Sequence, residues 1–181
     1  DLQKAEAFVK NAGDKRLKAA KVNAENVAQM AELMAGYDIV ANGLPRIYCE
    51  NAIRAAIKTR VDMLDLISPH QETLALNGEA QKAGISIVGG VGMTPGLTNI
   101  LAKLGSERLD TVESIDIDFA AFRGIAYSPG LLHVILWEFD PKTKDRSYYE
   151  NGEFIDNPPF AGARVVHFPE PIGTQTTYYV P

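Results

Sequence analysis

The sequence predicts an α/β fold: part of a doubly wound parallel sheet, followed by part of a second α/β domain of α+β character with a mixed sheet. Three observations carry this. Helix-period and strand-period segments alternate with little intervening length up to about Leu109, as repeated βα units do. A glycine-rich turn, Gly89-Gly90-Val91-Gly92, leads from an apolar β-branched run into a helix. Beyond Leu109 the texture shifts to alternating apolar residues, Pro, Tyr and hairpin signals, which divides the chain into domains at residues 1–108 and 109–181.

Residues 2–12 have helical periodicity through Leu2, Ala5, Phe8 and Val9 and stop at Gly13. Residues 17–22 read as a short strand. Residues 24–35 are helical again, with Val27, Met30, Ala31 and Met34 on one face and Gly36 closing it. Residues 37–42 form the first buried strand and run into Gly43-Leu44-Pro45, where Pro45 can open a helix carrying Ile47, Ala52, Ile53, Ala56 and Ile57. A strand at 61–67, a helix at 72–83 and a strand at 85–89 extend the order βαβαβα into a helix started by Pro95. In the second domain, residues 111–122 alternate through Val112, Ile115, Ile117 and Phe119 as a long strand. Asn151-Gly152, between Tyr148-Tyr149 and Phe154-Ile155, is a hairpin signal that begins an antiparallel or mixed sheet.

Composition is that of a soluble globular chain, with 181 residues, 46% hydrophobic and 23% charged. A formal net charge of −5, without a Lys/Arg cluster, argues against a nucleic-acid surface and for a small-molecule or protein partner. The single cysteine, Cys49, excludes an internal disulfide and a multi-cysteine metal site, and it reads as a buried structural thiol in the Pro45 helix. No apolar run approaches the ~20 residues a membrane span needs, and the first residues lack the pattern of a signal peptide. The expectation is a cytoplasmic protein that binds neither membrane nor nucleic acid. His70, His133 and His167 are dispersed, so no metal site is expected.

The glycine turn is where the sequence concentrates its chemistry. Gly89, Gly90 and Gly92 let the backbone approach a bound group, and Thr94 is placed to cap the helix that Pro95 starts. Free N–H groups would then face a carboxylate or phosphate at the carboxyl edge of a parallel sheet. A strand-to-helix turn without any ligand is the plainer alternative. Asp1 opens the chain just before a helix. In a dinucleotide-binding fold, an acid at that place binds the adenosine ribose, roughly 20 residues after a Gly-x-Gly-x-x-Gly turn; otherwise Asp1 is only the helix N-cap. On the first reading, the opening strand and its glycine loop precede residue 1, and the second domain is likewise incomplete where the chain stops.

The segments 37–45 (Tyr-Asp-Ile-Val-Ala-Asn-Gly-Leu-Pro), 61–66 (Val-Asp-Met-Leu-Asp-Leu), 83–102 and 109–115 (Leu-Asp-Thr-Val-Glu-Ser-Ile) together resemble the saccharopine dehydrogenase-like family, to which L-lysine dehydrogenases belong. The resemblance extends to 128–132 and 149–152 in the second domain. It implies an interrupted Rossmann-like fold, a second domain supplying substrate contacts and a homodimer interface, and an NAD(P)-dependent oxidoreductase of amino-acid or opine metabolism acting at an amine-bearing carbon. It places the loop at Asn42, Gly43 and Leu44 near the nicotinamide and the Pro95-Gly96 turn beside the substrate. Thr94 departs from the acid that several saccharopine reductases carry there, and the glycine fingerprint is not in the chain.

Hydride transfer needs a rigid nicotinamide pocket, an anchor for the substrate carboxylate and a group to take the amine proton. Asp1, Asn42, Gly43, Leu44 and Gly92 are the cofactor-binding candidates, and NAD or NADP is the expected cofactor, with Asp1 leaning toward NAD. Thr94, Pro95, Gly96 and Arg123 are the substrate-binding candidates, with Arg46 an alternative carboxylate anchor. Asp65, at a strand end, and His70, in the loop after it, are the catalytic candidates; Asp65 can instead cap the next segment. His133 reads as a packed helix residue and Tyr127 is open. Gly96 is read as leaving room for substrate or cofactor, so that Gly96→Val would lower activity with the fold intact. Two other readings stand beside the dehydrogenase: a non-catalytic binding or assembly module that keeps the fold, and a methyltransferase-type enzyme using Gly89 to Gly92. Pro95 speaks against the last, standing where a final glycine would fall.

Overall fold

The computed structural model describes residues 1–120, 129–143 and 146–180. The chain divides into two compact units, Asp1–Thr111 and Val112–Pro181.

The first unit contains helix α1 (Leu2–Ala12), helix α2 (Val27–Met34), strand β1 (Ile39–Asn42), a 3₁₀ turn (Arg46–Tyr48), helix α3 (Cys49–Thr59), strand β2 (Asp62–Asp65), short helices α4 (Gln71–Leu74) and α5 (Asn77–Ala83), strand β3 (Ile87–Gly89) and helix α6 (Leu97–Ser106). The strands form one parallel sheet in the order β1-β2-β3. This is the α/β arrangement that the alternating periodicities predict. Val40, Met63 and Ile87 lie side by side in the register and pack with Met30, Ala31, Ala52, Ile53 and Ala56 into the core. Helix α3 turns Cys49, Ala52, Ile53 and Ala56 inward at helical spacing, and its small alanines let it lie close on the sheet. Each large apolar side chain buried there contributes ~1.5–3 kcal/mol. The alternate residues Ile39 and Val88 point to the opposite face and stay half exposed, at 54% and 51%.

Local chemistry moves several boundaries from their expected positions. Helix α2 begins at Val27 rather than at 24 because Asn26 caps it, its side chain accepting from the Gln29 N–H at 3.1 Å. Pro45 opens a 3₁₀ turn, and the α-helix proper starts at Cys49. The single helix expected at 72–83 is two, α4 and α5, with the buried Leu76 at the break. Residues 17–22 form no strand, since among the described residues nothing pairs with them. Pro95 does not start α6. The Thr94–Pro95 bond is cis, Gly96 takes φ 127°, and the helix begins at Leu97.

The second unit contains helix α7 (Pro129–Glu138) and strands β4 (Ser147–Glu150), β5 (Glu153–Asp156), β6 (Arg164–His167) and β7 (Thr174–Thr177). They form two separate two-stranded antiparallel sheets, β4-β5 and β6-β7, rather than one mixed sheet. The Asn151-Gly152 hairpin forms as expected, with both residues at positive φ, 52° and 90°, as a type I′ turn requires. The expected strand at 111–122 is absent from residues 111–120, and Phe122 lies outside the described residues. Side chains tie that segment down instead: Arg164 pairs with Asp116 at 2.9 Å and with Asp118, and the Thr177 hydroxyl donates to Asp118 at 3.1 Å. Aromatic contacts knit the unit, Phe139 stacking on Phe160 at 4.9 Å and Tyr148 meeting Tyr179 at 5.3 Å. Arg146 is fully buried and donates to the carbonyls of Glu138, Thr143 and Asn157.

Candidate active site at the carboxyl edge of the sheet

Parallel pairing sets Asn42, Asp65 and Gly89 level with one another at the carboxyl ends of β1, β2 and β3. Ligands in open α/β sheets bind beyond this edge. Backbone bonds stitch the three exits together: Leu66 N–H donates to Asn42 O at 3.1 Å, Val91 N–H to Asp65 O at 3.0 Å, and Gly90 N–H to Ile67 O at 2.9 Å.

Each of the first two exits is closed by its own side chain. Asn42 Oδ1 accepts from the Leu44 N–H at 3.2 Å, and Asp65 Oδ1 accepts from the Ile67 N–H at 2.9 Å. Both side chains are buried. Between them lies Cys49, with Asn42 Nδ2 at 3.6 Å from its sulfur and Asp65 Oδ1 at 3.9 Å. Burial, reinforced by the charge of Asp65, pushes the Cys49 thiol up to about 11. Gly43 is exposed, and a Cβ added to it would meet nothing within 4 Å, so open space lies over the backbone there. Leu44 is half-buried beside it.

The glycine turn differs from its expected form. Gly90, Val91, Gly92, Leu97 and Thr98 all donate their N–H groups to backbone carbonyls, and the Gly96 N–H donates to Asn99 Oδ1 at 2.9 Å. The N–H groups of Gly90, Val91, Gly92, Gly96, Leu97 and Thr98, which the sequence expects to face a ligand, are thus taken up by the turn itself. Thr94 does not cap α6: Gly96 stands at the N-cap position without a side chain to offer, and the Asn99 side chain, three residues on, reaches back to accept from its N–H. Thr94 and Pro95 are exposed, while Gly92 and Gly96 are half-buried and pressed together. The room expected over Gly96 is filled by the backbone of Gly92 and Gly90.

His70 and Asp65 are brought together as walls of a cavity of about 340 Å³, shared with Ser68, Asn77, Gln81 and Ile87. The His70 side chain is 12% exposed, with Nδ1 at 3.3 Å from Thr73 Oγ1 and Nε2 at 3.7 Å from Glu72. Asp1 caps α1, its carboxylate accepting from the Lys4 N–H at 3.4 Å. Arg46 lies in the 3₁₀ turn next to Cys49. Arg123 and Tyr127 lie outside the described residues. His133 sits in α7, and His167 Nδ1 is 2.8 Å from Thr174 Oγ1 across the β6-β7 pair. Among the described residues no group of three or more His, Cys, Asp or Glu is placed to hold a metal ion, and no helix is long and apolar enough to cross a membrane. Sequence reasoning recognised Cys49 as buried but missed that it joins Asn42 to Asp65; the seven-residue spacing from Asn42 was the only local sign.

A three-stranded parallel sheet with its helices, open at its carboxyl edge, is the architecture of a Rossmann-type nucleotide-binding domain. Residues 1–88 match the family described as saccharopine dehydrogenase NADP binding domain. Saccharopine dehydrogenase [NADP(+), L-glutamate-forming] of Saccharomyces cerevisiae is 28% identical over 103 residues, which are 56% of this chain and 22% of that protein. A solved structure of apo histidine-tagged saccharopine dehydrogenase (L-Glu forming) from the same yeast superposes with a TM-score of 0.53 at 25% identity, covering 59% of this chain and 24% of that one. The chain thus spans about a quarter or less of the length of these relatives. Its first 88 residues are thus similar to the nucleotide-binding domain of saccharopine dehydrogenases. The family description names NADP, against the lean toward NAD drawn from Asp1.

Proposed function

We propose that this chain is part of an NADP-dependent oxidoreductase of amino-acid metabolism, acting at the amine-bearing carbon of a small amino-acid-like substrate as saccharopine and lysine dehydrogenases do. The observation that carries the reading is the level row Asn42, Asp65 and Gly89, with Gly43 open above it. That space suits a flat ring laid against backbone, and the neighbouring Leu44 offers it an apolar wall. Bound there, a nicotinamide supplies the hydride acceptor or donor.

The chain's own residues hold and exclude. Asn42 and Asp65 keep the two exits rigid, which serves the orientation that hydride transfer demands. Since Asp65 Oδ1 is engaged with Ile67 and Cys49, His70 Nε2 is the better group to take the amine proton. The Thr94 hydroxyl, exposed at the Pro95-Gly96 turn, and Arg46 or Arg123 are the candidates to meet the substrate carboxylate. A cytoplasmic homodimer joined through residues beyond Leu109 completes the reading, supported by the exposed Phe154, Val165 and Tyr149 of the second unit; light scattering that returns a monomer would remove it.

A non-catalytic binding or assembly module is the second reading, favoured by one observation: the glycine turn turns six of its N–H groups, those of Gly90, Val91, Gly92, Gly96, Leu97 and Thr98, onto its own chain. Fluorescence titration of the full-length protein with NADPH and NADH separates the two. The dehydrogenase reading expects NADPH to bind more tightly than NADH and to be turned over with an amino-acid-derived substrate. Binding without turnover of any amino or oxo acid supports the module, and no binding of either nucleotide overturns the cofactor reading.

A further inference from the structure

Asn42 and Asp65 each close a turn of their own chain segment, and no hydrogen bond joins the two side chains directly; the group that bonds to both is the Cys49 thiol. The Asn42 amide has two ends. With Oδ1 receiving the Leu44 N–H, Nδ2 is left to face the sulfur, so the thiol engages the free end of an amide whose direction the turn sets. The thiol carries one proton and has three oxygen acceptors within reach, namely Asp65 Oδ1 at 3.9 Å, Pro45 O at 3.8 Å and Leu44 O at 4.0 Å. The carboxylate is the one with a charge to assist the bond. Sulfur suits the position because its long reach spans a gap that a smaller atom would leave open. We infer that Cys49 is a positioning residue that locks the 42–44 and 65–67 turns into one rigid edge and thereby sets where the nicotinamide rests. The second half of that statement builds on the cofactor reading above; the first half does not.

Cys49 is 0% exposed and its thiol is held protonated, so it acts as a donor and acceptor and not as a nucleophile. Because α3 begins at Cys49, the same contact also ties the helix start to both strand ends.

The test compares Cys49→Ala and Cys49→Ser with the parent in the full-length protein, by amide hydrogen exchange at Leu44, Ile67 and the core residue Met63, by NADPH titration and by thermal melting. Removing the thiol is expected to speed exchange at Leu44 and Ile67 together by about tenfold, the worth of a typical hydrogen bond, while Met63 stays protected. NADPH affinity should fall by a similar factor, and Cys49→Ser, whose shorter bond and smaller oxygen leave the gap open, should recover little of either loss. Unchanged exchange at Leu44 and Ile67 overturns the coupling, as does a rise shared equally by Met63, which is general destabilisation. Loosened turns with undiminished NADPH affinity overturn the placement of the cofactor by them. If the parent itself binds no NADPH, the cofactor reading fails, and the paired exchange rates still decide the coupling.

Discussion

Gly92 and Gly96 face each other as backbone partners across the turn that leads into α6, Gly92 N–H donating to Pro95 O and Leu97 N–H to Gly92 O, each at 2.9 Å. Gly96 has φ 127°, and a Cβ there would overlap the Gly92 carbonyl oxygen and stand 2.6 Å from its nitrogen and 2.9 Å from the Gly90 oxygen. Only glycine fits. The close approach that the sequence assigns to a ligand is made by the chain itself.

Gly96→Ala is therefore expected to destabilise the first unit by at least ~2 kcal/mol, combining a disfavoured φ with a clash against backbone. Gly96→Val should do the same or worse, so lost activity in that variant would follow lost folding. Gly105, in α6, has open space around it, and Gly105→Ala should be neutral or stabilising by up to ~1 kcal/mol. Thermal melts of the three variants check this. A Gly96→Ala protein that melts with the parent would mean the turn can open.

Asp65 offers a test of its role. As a turn closure it needs only an acceptor oxygen, so Asp65→Asn should cost little stability, whereas Asp65→Ala leaves the Ile67 N–H without its partner and should cost ~1–3 kcal/mol. Activity should follow the same order. A catalytic base would behave otherwise, with Asp65→Asn losing turnover at an unchanged melting temperature, and that outcome would restore Asp65 as the proton acceptor.

The Cys49 thiol is raised from 9.0 to about 11, first by burial and then by Asp65. The folded chain keeps a proton that the unfolded chain releases above pH 9, so the associated stability is complete below that pH and is lost as pH climbs through about 11. The gap corresponds to about 2–3 kcal/mol. Urea unfolding of the parent and Cys49→Ala at neutral pH and again near the upper value reads it directly: the parent should lose the extra stability on going alkaline and the variant should not. Parallel losses in both would assign the alkaline weakness to other groups.

Arg146 holds the second unit from inside. Its guanidinium reaches the carbonyl end of α7 at Glu138, where the helix dipole favours a cation, and also Asn157 O at 3.2 Å, just past β5. Arg146→Met takes a charged donor away from those half-buried carbonyls and should cost about 1–3 kcal/mol. Limited proteolysis would then cut within residues 139–160 before the first unit is touched. Equal protection in parent and variant would show that the aromatic packing suffices alone.

What the sequence by itself determined is whatever rests on neighbours in the chain. The type I′ hairpin at Asn151-Gly152, the stop of α1 at Gly13 and the inward face of α2 through Met30 and Ala31 are set by local φ preference and helical spacing. The alternation of βα units follows from the same periodicities, and the family resemblance came from the order of its motifs. Strands need partners, which local pattern cannot supply. Residues 17–22 and 111–120 read as strands, yet among the described residues no strand pairs with the first, and the second is held by Arg164 from far along the chain. Only the tertiary structure decided the chemistry of the edge. The engaged N–H groups of the glycine turn, the Asn99 side chain reaching back to Gly96 and the thiol bridge from Asn42 to Asp65 depend on which atoms meet after three strand ends are drawn level. Hydrogen bonds are short-ranged, so residues sixteen positions apart, such as Cys49 and Asp65, acquire a relationship only when folding brings them together, here to 3.9 Å.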